Sequence, residues 1–346
     1  MRRTESACTA GGESRLTVRL SVLDQSPHLA GLGARRAIEE TLALARRADQ
    51  LGYHRYWLAE HHAIAALADP CPEVLLARLG AETRRMRVGT GGVLLPYYSA
   101  FRTAESFRML EALYPGRIDL GVGRAPGGDA RTAQAVGGGR FPDAARFPEQ
   151  VWELVGHLDG TLPDAHPLKG VRVQPEIETA PEVWLLGSSD YSGALAAELG
   201  LPFAFAHFIN PRGGDAVARA YRSRFKPGRE ASPRVIACTF AICAESDAEA
   251  ERLAAPIDLR RLHMALNVDA PVPTQAEAER YPYSAAEREH VMSQRSRAVL
   301  GGPQTCRRGI EEMARRYAAD EVMVLTITGD YASRQRSYEL LIGAFE

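Results

Sequence analysis

Short apolar runs separated by amphipathic stretches recur along the whole chain. The first covers residues 17–23 and ends at Asp24. The next stretch places Ile38, Leu42, Ala45 and Leu51 on one face at helical spacing and stops at Gly52, the residue a left-handed helix end favours. Further runs cover 53–59, 86–95, 118–122, 183–186, 202–207, 235–243 and 322–328, with helical patterns near 73–83, 99–113, 147–158 and 191–199 between them. Most runs are continuously apolar, as parallel strands buried on both faces must be. Eight such runs with intervening helices predict an α/β fold of the TIM (β/α)8 barrel type.

One interval breaks the rhythm. Residues 247–300 follow the seventh run and carry Pro256, Pro271, Pro273 and Pro282. A connection of that length is either a functional lid or a linker. The expected organisation is a flexible leader over 1–15 and a single barrel domain over 16–346. Residues 247–300 form an insertion leaving the barrel on its active-site face.

Composition narrows the function classes. Hydrophobic residues make up 45% of the chain, enough for a large core, and the net charge of −1 excludes the basic face of a nucleic-acid-binding protein. Of the 42 Lys and Arg only Lys169 and Lys226 are lysine, a bias of codon usage rather than a binding surface. Cys8, Cys71, Cys238, Cys243 and Cys306 are odd in number and scattered, which predicts neither a disulfide framework nor a zinc site and fits a reducing cytoplasm. No apolar run approaches the ~20 residues that span a membrane. No apolar segment follows Arg2 and Arg3, so the start does not read as a signal peptide.

In such barrels the loops after the strands build the site. Those strand ends offer Asp24-Gln25-Ser26, Glu60-His61-His62, Thr90-Gly91-Gly92, Gly123-Arg124 and Ser188-Ser189. A metal at the histidine pair is not expected. Adjacent residues of an extended chain point apart, and the other strand ends supply Thr90, Arg124 and Ser189 where carboxylates would be needed. The segment 187–192 joins a strand to a helix. Its serines either cap that helix or, with Arg124 and a possible second arginine at Arg131, bind an anion on its free N–H groups. Gly121, Gly123 and Gly127 miss the dinucleotide spacing by one residue. Gly91-Gly92 inside a good strand marks a bulge or a flat ligand lying against the backbone.

Taken together, the segments Ser21-Val22-Leu23-Asp24-Gln25-Ser26-Pro27, Ala59-Glu60-His61-His62, Val88-Gly89-Thr90-Gly91-Gly92-Val93-Leu94-Leu95-Pro96, Gly116-Arg117-Ile118-Asp119-Leu120-Gly121-Val122-Gly123-Arg124 and Trp184-Leu185-Leu186-Gly187-Ser188-Ser189 resemble the bacterial luciferase-like monooxygenases, in the branch with an Asp-Gln-Ser-Pro start. The resemblance runs in order over roughly residues 17–345. It implies an enzyme that uses reduced FMN and O2 on a small-molecule substrate, with a separate flavin reductase as partner and no nucleic acid or membrane. It implies His61 as the catalytic residue beside the flavin. Asp24, Thr90, Gly91, Gly92, Arg124, Ser188, Ser189 and Ser192 would be the cofactor-binding set, with a cis peptide at Gly91-Gly92. Glu105 matches an acidic position of undefined role. A reactive cysteine of luciferase itself falls here on Gly123, which argues against light emission. The resemblance also implies a homodimer through the helices at 73–83 and 99–113, with Glu82 and Arg108 as interface ions, and is compatible with polyketide tailoring in antibiotic biosynthesis. Two alternatives stay open: a deazaflavin (F420)-dependent hydride-transfer oxidoreductase, and a non-catalytic flavin-binding barrel. Tyr97, Tyr98, Phe208, Tyr281 and Tyr283 either face a bulky planar substrate or belong to core and dimer contacts.

Overall fold

The computed structural model describes residues 18–124 and 129–346. The leader expected over 1–15, Cys8 and Gly127 lie outside the described residues. In chain order the elements are β1 (Arg19–Asp24), α1 (Ala34–Leu51), β2 (Arg55–Leu58), α2 (Pro72–Glu82), β3 (Arg87–Leu94), α3 (Ala100–Leu113), β4 (Ile118–Gly123), α4 (Ala130–Val136), α5 (Phe147–Asp159), β5 (Glu182–Gly187) and α6 (Asp190–Glu198). They continue with β6 (Phe203–Ala206), α7 (Gly214–Arg224), β7 (Val235–Cys243), α8 (Asp247–Leu253), α9 (Ala255–Ala265), α10 (Gln275–Arg280), α11 (Ala285–Gln294), β8 (Ala298–Gly301), α12 (Pro303–Tyr317), β9 (Glu321–Leu325) and α13 (Tyr331–Gly343).

Strands β1 to β7 pair in sequence, β7 pairs with β9, and β9 returns to β1, every pairing parallel. The result is the closed eight-stranded TIM barrel, and each of the eight apolar runs supplies one of its strands. The ninth strand, β8, was not anticipated. It is four residues long and pairs with the outer half of β7, Phe240 to Cys243. The end of the insertion therefore rejoins the sheet. So short a run, following Arg295 and Arg297, carries no strand signal of its own.

The continuous apolar runs have the cause expected of them. In β1, Val22 faces the helices and Leu23 faces the barrel interior, and both are buried. Helix α1 differs from the expected face. Ala37, Thr41, Leu44, Ala45 and Ala48 are its buried residues, whereas Ile38, Leu42 and Leu51 are only half-buried at its margin. Its small residues let the helix approach the sheet closely, and packing outweighs side-chain size. Gly52 ends it at φ 84°, where a side chain would be strained.

The N-terminal end of the barrel is closed by charge. Arg55 donates to Asp119 at 2.7 Å and to Glu321 at 2.8 Å. Arg87 and the Trp57 indole complete Asp119 at 2.8 Å each. At the opposite end the insertion docks on the loops that follow β1 and β2. Val272 N–H donates to the His28 carbonyl at 2.8 Å, and Ala65 N–H donates to Asp269 at 2.8 Å. Among the described residues no helix is long and apolar enough to cross a membrane.

Candidate active site

A cavity of about 670 Å³ lies at the C-terminal ends of the strands. Its inner wall is apolar, with Leu23, Trp57, Ala204, Cys238 and Met323 all pointing inward from strands. One side is the bare backbone of Gly91 and Gly92, whose connecting peptide is cis, as the resemblance implied. A Cβ on Gly91 would stand 2.7 Å from Leu23 Cδ1, and one on Gly92 would stand 2.7 Å from the Gly121 carbonyl oxygen. At Gly92 the clash is with backbone and excludes a side chain; at Gly91 Leu23 would have to move.

The ends of the neighbouring strands β4 and β5 bring Arg124, Ser188, Ser189 and Ser192 to the same cavity. Ser189 occupies the N-cap position of α6, yet its side chain makes no capping bond. Its hydroxyl lies 3.4 Å from that of Ser192. The Tyr191 N–H in the first turn of α6 donates to the Asp190 carboxylate at 2.9 Å, not to Ser189. Ser189 is therefore not an ordinary serine cap of this helix. The Arg124 guanidinium is held 4.3 Å from the Tyr191 ring centroid. Asn210 fixes the Ser188 carbonyl with a bond of 3.1 Å. Arg131, on α4, does not line the cavity.

The histidine pair divides as extended backbone dictates. His61 lines the cavity, and its Nδ1 is buried without a hydrogen-bond partner. Burial, then the nearby Arg260 guanidinium, pulls His61 down to about 4. It therefore stands as a neutral imidazole at neutral pH, able to donate from one nitrogen and accept at the other. His62 turns away and bonds Glu60 at 2.7 Å. The buried Glu60 also accepts from the Tyr98 hydroxyl at 2.6 Å and the Leu94 N–H at 2.9 Å.

Several expected site residues lie elsewhere. Asp24 does not reach the cavity. Its fully buried carboxylate is taken up by Arg334 at 2.5 Å, the Ser26 N–H at 2.7 Å and the Tyr56 hydroxyl. Thr90 is buried too, its hydroxyl donating to the Gly121 carbonyl at 3.0 Å. Glu105 lies 3.5 Å from Arg102 on α3. Of the five aromatic loop residues only Phe208 lines the cavity; Tyr281 and Tyr283 pack on each other within the insertion, 4.7 Å apart. Glu82 and Arg108 are not partnerless surface ions: Glu82 meets Arg46 at 3.2 Å, and Arg108 donates to the carbonyl of Ile177 at 3.0 Å. Gln25 and Glu60 were legible as polar strand ends but were passed over as cavity residues. Among the described residues no group of three or more His, Cys, Asp or Glu is placed to hold a metal.

Residues 18–320 match the model of the luciferase-like monooxygenase family. The chain belongs to that family. The luciferase-like monooxygenase of Escherichia coli (strain K12) is 39% identical over 95% of this chain and 98% of its own length. The N-acetyl-S-alkylcysteine monooxygenase of Bacillus subtilis (strain 168) is 34% identical over 94% and 98%. Among solved structures, apo-MsnO8 superposes with a TM-score of 0.87 at 38% identity, covering 95% of this chain and 98% of that one. The same fold recurs at 18% identity and TM-score 0.68 in the oxygenating constituent of 3,6-diketocamphane monooxygenase from Pseudomonas putida in complex with FMN, which covers 95% of this chain and 98% of that one. It recurs again at 14% and 0.66 in an F420-dependent secondary alcohol dehydrogenase, covering 95% and 99%. This luciferase-like monooxygenase thus shares its barrel with enzymes of both cofactor types. Its cavity occupies the strand ends, where barrels of this kind place their chemistry.

Proposed function

We propose that this luciferase-like monooxygenase uses FMNH2 and O2 to oxygenate a small organic molecule, receiving the reduced flavin from a separate reductase. The observation that carries the reading is one cavity that holds Arg124, Ser189 and Ser192 at the start of α6 together with the bare backbone of Gly91 and Gly92. A phosphate on one end and a planar ring on the other fit this pair of surfaces. Arg124, Ser188, Ser189 and Ser192 would hold the phosphate, and Gly91 and Gly92 would back the ring.

Reduced FMN supplies the electrons that activate dioxygen; the chain supplies position, a proton donor and dryness. The apolar wall of Leu23, Trp57 and Met323 keeps water from the ring side of the cavity. His61, neutral and unpartnered at Nδ1, can offer one N–H toward the reacting atoms. Glu60 is a positioning residue: its bonds to His62, Tyr98 and Leu94 N–H fix the backbone turn that presents His61.

Titrating the full chain with FMN and with F420 tests the reading. FMN should bind the tighter, and photoreduced FMN should drive oxygen uptake. Preference for F420 without oxygen uptake would replace the reading with hydride transfer, and binding without any turnover would leave a non-catalytic flavin barrel. The exposed apolar residues Val74 on α2 and Met109 and Leu113 on α3 support a homodimer through those helices. Light scattering at micromolar concentration checks it. The free Cys71, Cys238, Cys243 and Cys306 support a reducing cytoplasm.

A further inference from the structure

Strand β1 alternates its side chains between the two faces of the barrel wall. Asp24 points outward to Arg334 and Tyr56, whereas Leu23 belongs to the interior cluster. Gln25 follows Leu23 by two residues, so it returns to the inner face, and it lines the cavity. The pairing of β1 with β2 sets Leu23 beside Trp57 and Asp24 beside Leu58, and the Ala59 N–H donates to the Asp24 carbonyl at 2.9 Å. Gln25 therefore stands beside Ala59, one layer above the apolar floor of Leu23 and Trp57. His61, two residues beyond Ala59, lines the same cavity nearer its mouth. Ala59 offers only a methyl group, so it leaves open the space that Gln25 faces.

Gln25 is only 8% exposed. Its carboxamide carries two N–H donors and a carbonyl acceptor. Among the described residues that side chain makes no hydrogen bond. Its polar neighbours differ. Asp24 is completed by Arg334 and the Ser26 N–H, and Glu60 by His62, Tyr98 and the Leu94 N–H. A carboxamide buried beside apolar side chains is costly while unpaired, and a methionine or leucine would fill the same volume without that cost. A charged ligand group is a poor match, because a neutral amide does not offset the cost of bringing a charge among Leu23, Trp57 and Met323. A neutral group with a carbonyl oxygen beside an N–H satisfies both halves of the carboxamide at once.

We infer that Gln25 binds a neutral amide or imide edge, a carbonyl oxygen beside an N–H, at the inner end of the cavity. Two ligands of the proposed reaction can present such an edge: the pyrimidine ring of the flavin, and a substrate that bears an amide. Gln25 then selects the polar end of the bound molecule, while the floor of Leu23 and Trp57 packs its apolar part. The inference rests on the cavity assigned to the proposed function and extends its binding residues, but its test reads binding and needs no turnover.

The experiment uses the full chain 15N-labelled at glutamine, with the Gln25 side-chain signal identified by its loss in Gln25→Met, a variant of similar length and shape. FMN is titrated first, and benzamide is then added with and without FMN. Acetophenone is the control that keeps the carbonyl and lacks the N–H. If the flavin supplies the edge, FMN shifts the Gln25 signal, and Gln25→Met weakens FMN by about 2- to 12-fold, the range for one net hydrogen bond. An FMN methylated at its pyrimidine N–H should then bind the parent more weakly than FMN does, and should lose less on Gln25→Met. If the substrate supplies the edge, FMN affinity is unchanged by Gln25→Met. Benzamide then shifts the signal saturably, binds more tightly than acetophenone, and loses that advantage in the variant. Either pattern supports the inference and names the source. No saturable shift at Gln25 with either ligand, or affinities for FMN and benzamide both indifferent to Gln25→Met, would overturn it. The urea midpoint of Gln25→Met should equal or exceed the parent's; a marked fall would assign Gln25 to the fold and overturn the inference as well. Should FMN fail to bind while benzamide still reports through Gln25, the flavin reading falls and the amide site stands.

Discussion

The two ends of the barrel hold similar residue types in opposite states. At the N-terminal end Arg55, Arg87, Asp119 and Glu321 are joined to one another within about one hydrogen-bond length, and Trp57 donates its indole N–H to the same carboxylate. At the C-terminal end His61 lines the cavity with a buried Nδ1 that has no partner, and the Ser189 side chain makes no bond that caps α6. Burying polar groups costs free energy wherever it happens. Where partners are supplied from within, the group serves the fold; at the cavity the proposed function gives the unpartnered groups a ligand to meet. The difference lies in satisfaction, not in residue type.

The largest expected effect is on the unsatisfied end. His61→Ala should lower turnover by ~10²–10⁴-fold, the range for losing a positioned acid or base, with FMN affinity preserved and more hydrogen peroxide released per O2 consumed. Its native value of about 4 also predicts a pH signature. Between pH 6.5 and about 4 the unfolded chain takes up a proton at this position and the native state does not. Stability contributed by the neutral imidazole is therefore present above pH 6.5 and lost as pH falls toward 4. Urea midpoints measured across this window should fall less steeply for His61→Ala than for the parent. A parallel loss in both would break the contrast at its centre.

On the satisfied end, Arg55→Met should destabilise the chain by about 3–5 kcal/mol, because Asp119 and Glu321 are left buried without their cation. Urea denaturation measures it, and residual activity per folded molecule should be unchanged. Third in size, Arg124→Ala should weaken FMN by about 1.5–3 kcal/mol, as removal of a charge-assisted contact does, with no change in urea midpoint. Isothermal titration with FMN reads the first effect. If Arg124→Ala lowered stability and left FMN binding untouched, the arginine would belong with the paired plug.

This contrast also explains what could be seen in the sequence. The eight barrel strands were legible because a parallel strand buried on both faces must be apolar throughout, a signal each run carries alone. His61, Arg124 and the serines were legible because strand ends are where the fold brings loops together, and Gly91-Gly92 because two glycines weaken a strand without cause. Asp24 and Thr90 were misplaced for the same reason: a polar residue at a strand end looks alike whether it faces the cavity or a buried partner. The partner of Asp24 is Arg334, 310 residues away, and no local pattern links them. The strand β8 was hidden by its length.

The smallest effect tests the contrast at its finest grain, between two neighbouring histidines. His62 differs from His61 in having its partner: Glu60 lies 2.7 Å from its Nε2, and the Tyr97 ring stands edge-on at 6.3 Å. By the rule drawn from the barrel's two ends, a satisfied group serves the fold. His62→Ala should then cost about 0.5–1.5 kcal/mol, the net worth of one hydrogen bond, read as a shift in urea midpoint. The loss stays small because Glu60 keeps its bonds from Tyr98 and the Leu94 N–H, and so is not left stranded. Turnover per folded molecule should fall only as far as the loop carrying His61 loosens, and should recover in His62→Gln, whose amide can still reach Glu60. A His62→Ala variant that loses turnover as completely as His61→Ala, with no change in stability, would reverse the assignment. His62 would then be the group facing the reacting atoms, and hydrogen-bond satisfaction would no longer separate working residues from supporting ones in this barrel.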